Sequence, residues 1–123
     1  MHLLNAEKFQ LEHFLGKSIP TYAILSHTWG PNEILFKQLS ASQDGLHTED
    51  SFSKIRDCCR QARKDGLNYV WIDTCCINSE SSAELSEAIN SMYEWYSAAS
   101  VCYALLSDVV SGISLRNSVL GLL

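Results

Sequence analysis

Three short runs of apolar, β-branched and aromatic residues, each ending at a polar side chain, constrain the fold of this chain more than any other feature. They lie at residues 21–26, 67–73 and 101–106. Runs of this length and composition predict buried strands. Helical patterns separate them, and an alternation of strand, helix, strand, helix, strand favours right-handed crossovers. The predicted fold class is therefore α/β, with a small parallel sheet and flanking helices.

Two segments carry the signals of helices. Residues 53–65 have the pattern of a helix with either Ser51 or Ser53 as its N-cap, and Gly66 comes where a helix C-cap is expected. A second helix is predicted from Ser81 to about residue 98, because Ser81 and Glu84 have the spacing of a capping box. Its apolar residues recur every three or four positions and predict one buried face: Leu85, Ala88, Ile89, Met92, Trp95 or Tyr96, and Ala99.

Length and charge exclude several classes of protein. The 123 residues suit one domain, and 9 basic against 14 acidic side chains give a net charge of −5 with no basic run. Nucleic acid is not an expected partner, because binding the phosphate backbone requires a cationic surface. No apolar stretch approaches the roughly 20 residues that span a bilayer. No secretory signal is visible at residues 1–8, so a cytoplasmic location is predicted.

The five cysteines do not have the spacing of a metal site. Four of them form adjacent pairs, Cys58 with Cys59 and Cys75 with Cys76, and the fifth is Cys102. Neighbouring side chains diverge on both helices and strands, whereas structural zinc sites use sulfurs two or more residues apart. No metal is predicted, and the cysteines are interpreted as reduced, buried, small apolar residues.

Polar residues follow each predicted strand, at the edge where parallel sheets bind ligands. The predicted ligand-binding rim consists of Ser26, His27, Trp29, Gly30, Asp73, Cys76 and Asn78. Candidate catalytic residues are Cys75 or its neighbour Cys76 as a thiol nucleophile, His27 as its base and Asp73 as the group that orients His27. Asp73 also suits three other roles: binding a ribose hydroxyl, holding the loop after residue 26, and capping the next segment. No glycine-rich phosphate loop is present in the sequence, and no cofactor is predicted.

Several motifs resemble the HET domain of fungal heterokaryon-incompatibility proteins. They are H-L-L-N at residues 2–5, Y-A-I-L-S-H-T-W-G at 22–30, G-L-N-Y-V-W-I-D-T-C-C-I-N at 66–78, and most of residues 82–109. Many family members have Asp where this chain has Asn78. The resemblance implies a HET-like domain over residues 1–109 and an unmatched tail over 110–123. A family motif similar to W-T-L-Q-E-L, expected after residue 109, is not found, which implies a domain truncated at its C-terminal end.

This resemblance also implies a function. HET domains are distantly similar to TIR domains, so a TIR-like or flavodoxin-like arrangement is expected, together with a role in fungal non-self recognition, innate immunity and programmed cell death. The implied partner is a protein, either a second copy or another cell-death signalling domain. Two alternatives are an enzyme, either a TIR-like NAD glycohydrolase with NAD as substrate or a cysteine-based hydrolase, and an inactive truncated remnant. The missing downstream motif argues against an enzyme.

Overall fold

The predicted apolar runs form the centre of one sheet. A computed structural model of the chain describes residues 1–41, 45–46 and 50–105, together with the backbone of 115–118. The strands are β1 (His2–Asn5), β2 (Leu11–His13), β3 (Ala23–His27), β4 (Tyr69–Ile72), β5 (Val101–Leu105) and β6 (Leu115–Ser118). The helices are α1 (Phe36–Ser40), α2 (Phe52–Lys64), α3 (Asp73–Cys76) and α4 (Ser82–Ala98), and a 3₁₀ turn spans Gly16–Ser18.

The sheet is mixed, with the strand order β2-β1-β4-β3-β5-β6. Its three central strands are parallel, since β3 pairs in parallel with both β4 and β5. The outer strands β2, β1 and β6 pair antiparallel with their neighbours. The α/β class is confirmed, but the prediction of a purely parallel sheet is wrong. The antiparallel pairs come from strands outside the three predicted ones: β1 and β2 form a hairpin with a short connection that adds to the sheet beside β4, and β6 adds beside β5.

Helix α2 ends where the sequence predicts. Gly66 has a φ of +80°, which glycine adopts without steric penalty. The Gly66 N–H donates to the Arg63 carbonyl at 3.1 Å, and the Leu67 N–H donates to the Ala62 carbonyl at 2.9 Å. These two bonds form a Schellman motif, which satisfies carbonyls that the end of the helix leaves without partners.

Helix α4 begins as predicted, but only one of the two hydrogen bonds of the predicted capping box is formed. The Ser81 hydroxyl accepts from the Glu84 N–H at 3.3 Å. The reciprocal bond from the Glu84 carboxylate is not formed, because the Ser81 N–H donates to the Asn78 carbonyl at 3.1 Å. Glu84 Oε1 instead lies 3.0 Å from His2 Nδ1 of β1. The start of α4 is therefore tied to the sheet by a contact between a carboxylate and an imidazole, and burial lowers the pKa of that imidazole.

The buried face of α4 is narrower than its apolar pattern indicates. Ala88 is buried, and Met92, Trp95 and Tyr96 pack against the core. Ile89 is 65% exposed. The prediction that Ile89 belongs to the core is therefore wrong, because a helix lying on a sheet buries only the side that faces the strands.

Helices α2 and α4 cover opposite faces of the sheet. Trp71 of β4 packs edge-on against Trp95 of α4, with ring centroids 5.6 Å apart. Tyr103 of β5 points to the other face, where its hydroxyl hydrogen-bonds Asp65 at the end of α2. The flanking helices of the predicted architecture are thus in place. No helix in the described ranges has both the length and the apolar character needed to cross a membrane.

Candidate functional site

The ends of two parallel strands bring His27 and Asp73 together. His27 is the last residue of β3, and Asp73 follows β4 directly as the first residue of α3. Leu25 and Ile72 are paired across the two strands, so the residues after them meet at the same edge. His27 Nε2 lies 2.8 Å from Asp73 Oδ1, and the imidazole is completely buried while Asp73 is 27% exposed.

Asp73 also holds Trp29, which lies in the loop after β3. The Trp29 Nε1–H donates to Asp73 Oδ2 at 3.0 Å, so one carboxylate oxygen binds the ring at the end of β3 and the other binds a ring of the loop that follows. Burial disfavours the charged form of Asp73, but the bonds from His27 and Trp29 outweigh it and lower the pKa of this carboxyl. Of the roles that the sequence left open for Asp73, this geometry fits holding the loop.

Lys54 of α2 completes the network and determines the tautomer of His27. Its Nζ lies 3.0 Å from His27 Nδ1, 3.4 Å from the Thr28 carbonyl and 2.5 Å from Glu33 Oε2. An ammonium donates and never accepts, so His27 Nδ1 must be the acceptor in this contact. The ring proton is therefore on Nε2, from which it is donated to Asp73.

Glu33 joins the loop after β3 to this network. Its Oε2 accepts from the Gly30 N–H at 2.6 Å as well as from Lys54. The Glu33 side chain is 9% exposed and the Lys54 side chain 18%. Together, Lys54 and Asp73 fix the loop from two sides.

Cys75 is not arranged as a nucleophile. Its side chain is fully buried, and a hydrogen bond with Cys76 together with burial raises its pKa well above the ordinary value for a thiol. Both ring nitrogens of His27 are already occupied, by Lys54 and Asp73. This conformation therefore offers neither a thiolate nor a base to deprotonate Cys75.

Of the remaining predicted rim residues, Cys76 and Asn78 have structural roles, and Ser26 stays at the edge of the sheet. Cys76 lies in the core, where its sulfur accepts from the Ile72 N–H at 3.4 Å. Asn78 forms a turn, in which its Oδ1 accepts from the Glu80 N–H at 3.2 Å. Ser26 stays near the strand end close to the hydroxyl of Tyr96, whose pKa is raised by burial and by the charge of Asp73.

Sequence reasoning missed three members of the site, namely Glu33, Lys54 and Tyr96. Lys54 and Tyr96 lie on helices, where a polar or aromatic residue is ordinarily read as part of a solvated or packed face. Glu33 follows Gly30 by three residues, and this spacing was a usable signal, because it suits a carboxylate that accepts from the N–H of a tight turn.

A cleft opens beside this network. Trp29 is 58% exposed and forms one wall of a hollow of about 670 Å³. A smaller hollow of about 350 Å³ adjoins it and is lined in part by Lys54. The described residues lining the larger hollow are Trp29, Gly30, Pro31, Asn32, Glu33, Leu35, Gln38, Asp50 and Ser51. Within the described part of the chain, no group of three His, Cys, Asp or Glu side chains is arranged to hold a metal ion.

Comparisons with known proteins identify the family. The model of the family "Heterokaryon incompatibility protein (HET)" matches residues 22–118. The predicted boundary at residue 109 stays a prediction. The chain is 51% identical over 94 residues to "Vegetative incompatibility protein HET-E-1" of Podospora anserina, a match that covers 74% of this chain and 7% of that relative. No solved structure matches the chain significantly. A family match over most of its residues shows that this chain belongs to the heterokaryon incompatibility (HET) family.

Proposed function

We propose that this chain is the HET segment of a vegetative incompatibility protein and that it acts in programmed cell death after non-self recognition. The 51% identity to the Podospora anserina vegetative incompatibility protein carries this proposal. The segment corresponds to 7% of that relative's length, so the proposed role is that of one part within a longer protein. It acts through a protein partner, either a second copy or another cell-death domain.

The geometry of the rim supports binding more than catalysis. The carboxylate of Asp73, the imidazole of His27 and the ammonium of Lys54 are all paired with one another or with the loop after β3. A catalytic group needs a lone pair or a proton directed at a substrate. Here those groups are directed at each other, and they hold Trp29 at the surface.

We further propose a TIR-like or flavodoxin-like arrangement for the centre of the sheet and a cytoplasmic location. Numbered from the first parallel strand, the order β4-β3-β5 reads second, first, third, which is how a flavodoxin-like sheet begins. The five cysteines are free and buried, which suits a reducing compartment. The strand order supports the proposed arrangement, and the reduced cysteines support the proposed location.

Expression in a filamentous fungus tests the proposed function. The full-length protein that contains this segment is placed under an inducible promoter, and cell viability is scored after induction. We expect death with the unmodified protein and at least a tenfold loss of killing with Asp73→Asn, which removes the charge that holds His27 and Trp29. Glu94→Gln makes the same change in net charge at an exposed position of α4 and should kill like the parent.

Protein levels are compared by immunoblot in the same cultures. Full viability with the parent protein at a level equal to that of a known death-inducing control would refute the proposed role. Equal killing by the Asp73→Asn variant would show instead that the rim is not the part of the segment that acts.

A further inference from the structure

Trp29 is exposed, yet its orientation is fixed. Its ring is 58% exposed, while its Nε1–H is bonded to Asp73, which is itself bonded to the buried His27. An exposed tryptophan ordinarily loses side-chain entropy when a ligand orders it. Trp29 is already ordered by these bonds, so its open face is prepared for a contact.

The partner of the indole N–H makes that face attractive to cations. The acceptor is the carboxylate of Asp73, and a negative charge at the N–H edge pushes electron density into the ring. An aromatic face attracts an ammonium or guanidinium group through its negative quadrupole, and tryptophan does so best. The bond to Asp73 therefore strengthens cation binding and weakens stacking on electron-rich rings.

The cleft beside Trp29 also lacks an available cationic donor among its described residues. Among the described residues that line either hollow, Lys54 is the one Lys or Arg, and its three donors contact His27, Thr28 and Glu33. Asp50 adds an exposed carboxylate, and the partial positive charge at the start of α2 is only about half a unit. An anionic group such as a phosphate would therefore meet the exposed carboxylate of Asp50 and no unpaired ammonium or guanidinium group among the described lining residues.

The dimensions of the larger hollow suit a long side chain. About 670 Å³ accommodates an arginine with part of its backbone, and Leu35, which is 45% exposed, offers apolar surface to the methylene groups. The amides of Asn32 and Gln38 line the same hollow and can accept or donate at its edge.

We propose that the Trp29 cleft binds a cationic side chain, an arginine or lysine presented by a partner protein, which stacks on the indole face and pairs with Asp50. This inference rests on the proposed function, because it names the chemistry by which the protein partner is recognised. The net charge of −5 on the chain favours the approach of such a partner.

Titration of the purified chain tests the cleft without cells. The probe is N-acetyl-L-arginine amide, and the matched control is N-acetyl-L-citrulline amide, which has nearly the same shape without the charge. Binding is followed by NMR through the Trp29 indole N–H and the Gly30 amide. We expect saturable shifts with the arginine compound and at least tenfold weaker binding of the citrulline compound.

Substitutions of residues that line the cleft test whether the arginine compound binds there. Trp29→Leu and Asp50→Asn should each weaken arginine binding several-fold to tenfold, the range that a cation–π contact or a partly exposed ion pair provides. Glu94→Gln removes one negative charge from a different helix and should bind like the parent. Equal shifts with arginine and citrulline would refute the proposal. A larger response to methyl α-glucoside or to inorganic phosphate would also refute it.

The two proposals fail separately. If the arginine compound binds through Trp29 but the full-length protein does not kill cells, the cleft stands and the proposed function is wrong. If the parent protein kills cells and the purified chain does not distinguish arginine from citrulline, the function stands and the cleft proposal is wrong.

Discussion

The ammonium group of Lys54 orients three polar groups of different kinds: an imidazole, a backbone carbonyl and a carboxylate. It donates to His27, to the Thr28 carbonyl and to Glu33, and no water is needed to complete its three bonds. The contact with His27 decides which nitrogen carries the proton, and that proton in turn binds Asp73. The orientation of Trp29 therefore depends on a residue of α2 that it does not touch.

Replacing Lys54 by methionine should destabilise the chain by about 2 kcal/mol, because Glu33 and the buried His27 would each lose a partner. The measurement is the free energy of unfolding in urea. Lys37→Met is the matched control, since Lys37 is 79% exposed and lies 3.8 Å from the exposed Glu80. We expect less than about 0.5 kcal/mol for that control. Equal effects of the two substitutions would contradict the proposed network.

The five thiols should be unreactive in the folded chain. All are buried, and burial raises the pKa of Cys59 to about 12 and that of Cys58 well above its ordinary value. Because thiolate is the reactive form, Ellman's reagent at pH 8 should modify the cysteines only in denaturant. Rapid modification of Cys75 without denaturant would show that a conformation with an accessible nucleophile exists.

At the scale of the element, α4 offers two neighbouring positions with opposite environments. Ala88 is 1% exposed and Ile89 is 65% exposed. Ala88→Asp should destabilise the chain by about 3 kcal/mol or more, because it buries an unpaired charge and overfills a packed site. Ile89→Asp should change the stability by less than about 1 kcal/mol. Thermal melts of both variants test this placement, and a reversed order would mean that α4 is rotated about its axis.

The hydrophobic pattern of the sequence predicts the long helices and the buried strands, and it does not predict the shortest elements. The two long helices and the three parallel strands were located to within a few residues, since each buries a continuous apolar face. Strand β2 has three residues, with Leu11 half-buried and His13 exposed, so its pattern carries no strand signal. Pairing with β1 produces that strand, and pairing cannot be read from a local window.

The candidate site was predictable only in part, for a related reason. His27, Trp29 and Asp73 follow strands, and strand ends converge in a parallel sheet. Lys54 and Tyr96 reach the same edge from helices on opposite faces, so only the tertiary arrangement places them there. The predictions that fall on residues 106–114 and 119–123, including most of the unmatched tail, lie outside the described residues.

At the scale of the whole molecule, each helical layer is attached to the sheet by a tyrosine hydroxyl as well as by apolar packing. Tyr103 bonds Asp65 beside α2, and Tyr22, which precedes β3, donates to the Trp95 carbonyl of α4 at 2.5 Å. Trp95 lies in the last turn of α4, where its carbonyl also accepts from the N–H of the C-cap residue Ala99 at 3.2 Å, so Tyr22 adds a second donor to it. Burial prevents water from replacing either hydroxyl.

The burial of the Tyr22 hydroxyl should make the stability of the chain fall at alkaline pH. Burial raises the pKa of Tyr22 from 10.0 to about 12, so the folded state keeps a proton that the unfolded chain releases first. This contribution is complete below pH 10 and is lost as the pH rises towards 12, by about 1 kcal/mol at pH 11. Unfolding in urea at pH 9 and pH 11 measures it, and Tyr22→Phe should lose correspondingly less stability between the two conditions. Tyr93→Phe, at a ring that is 83% exposed, should behave like the parent. A parent and a Tyr22→Phe variant that lose the same stability would show that the hydroxyl of Tyr22 is not buried between α4 and the sheet.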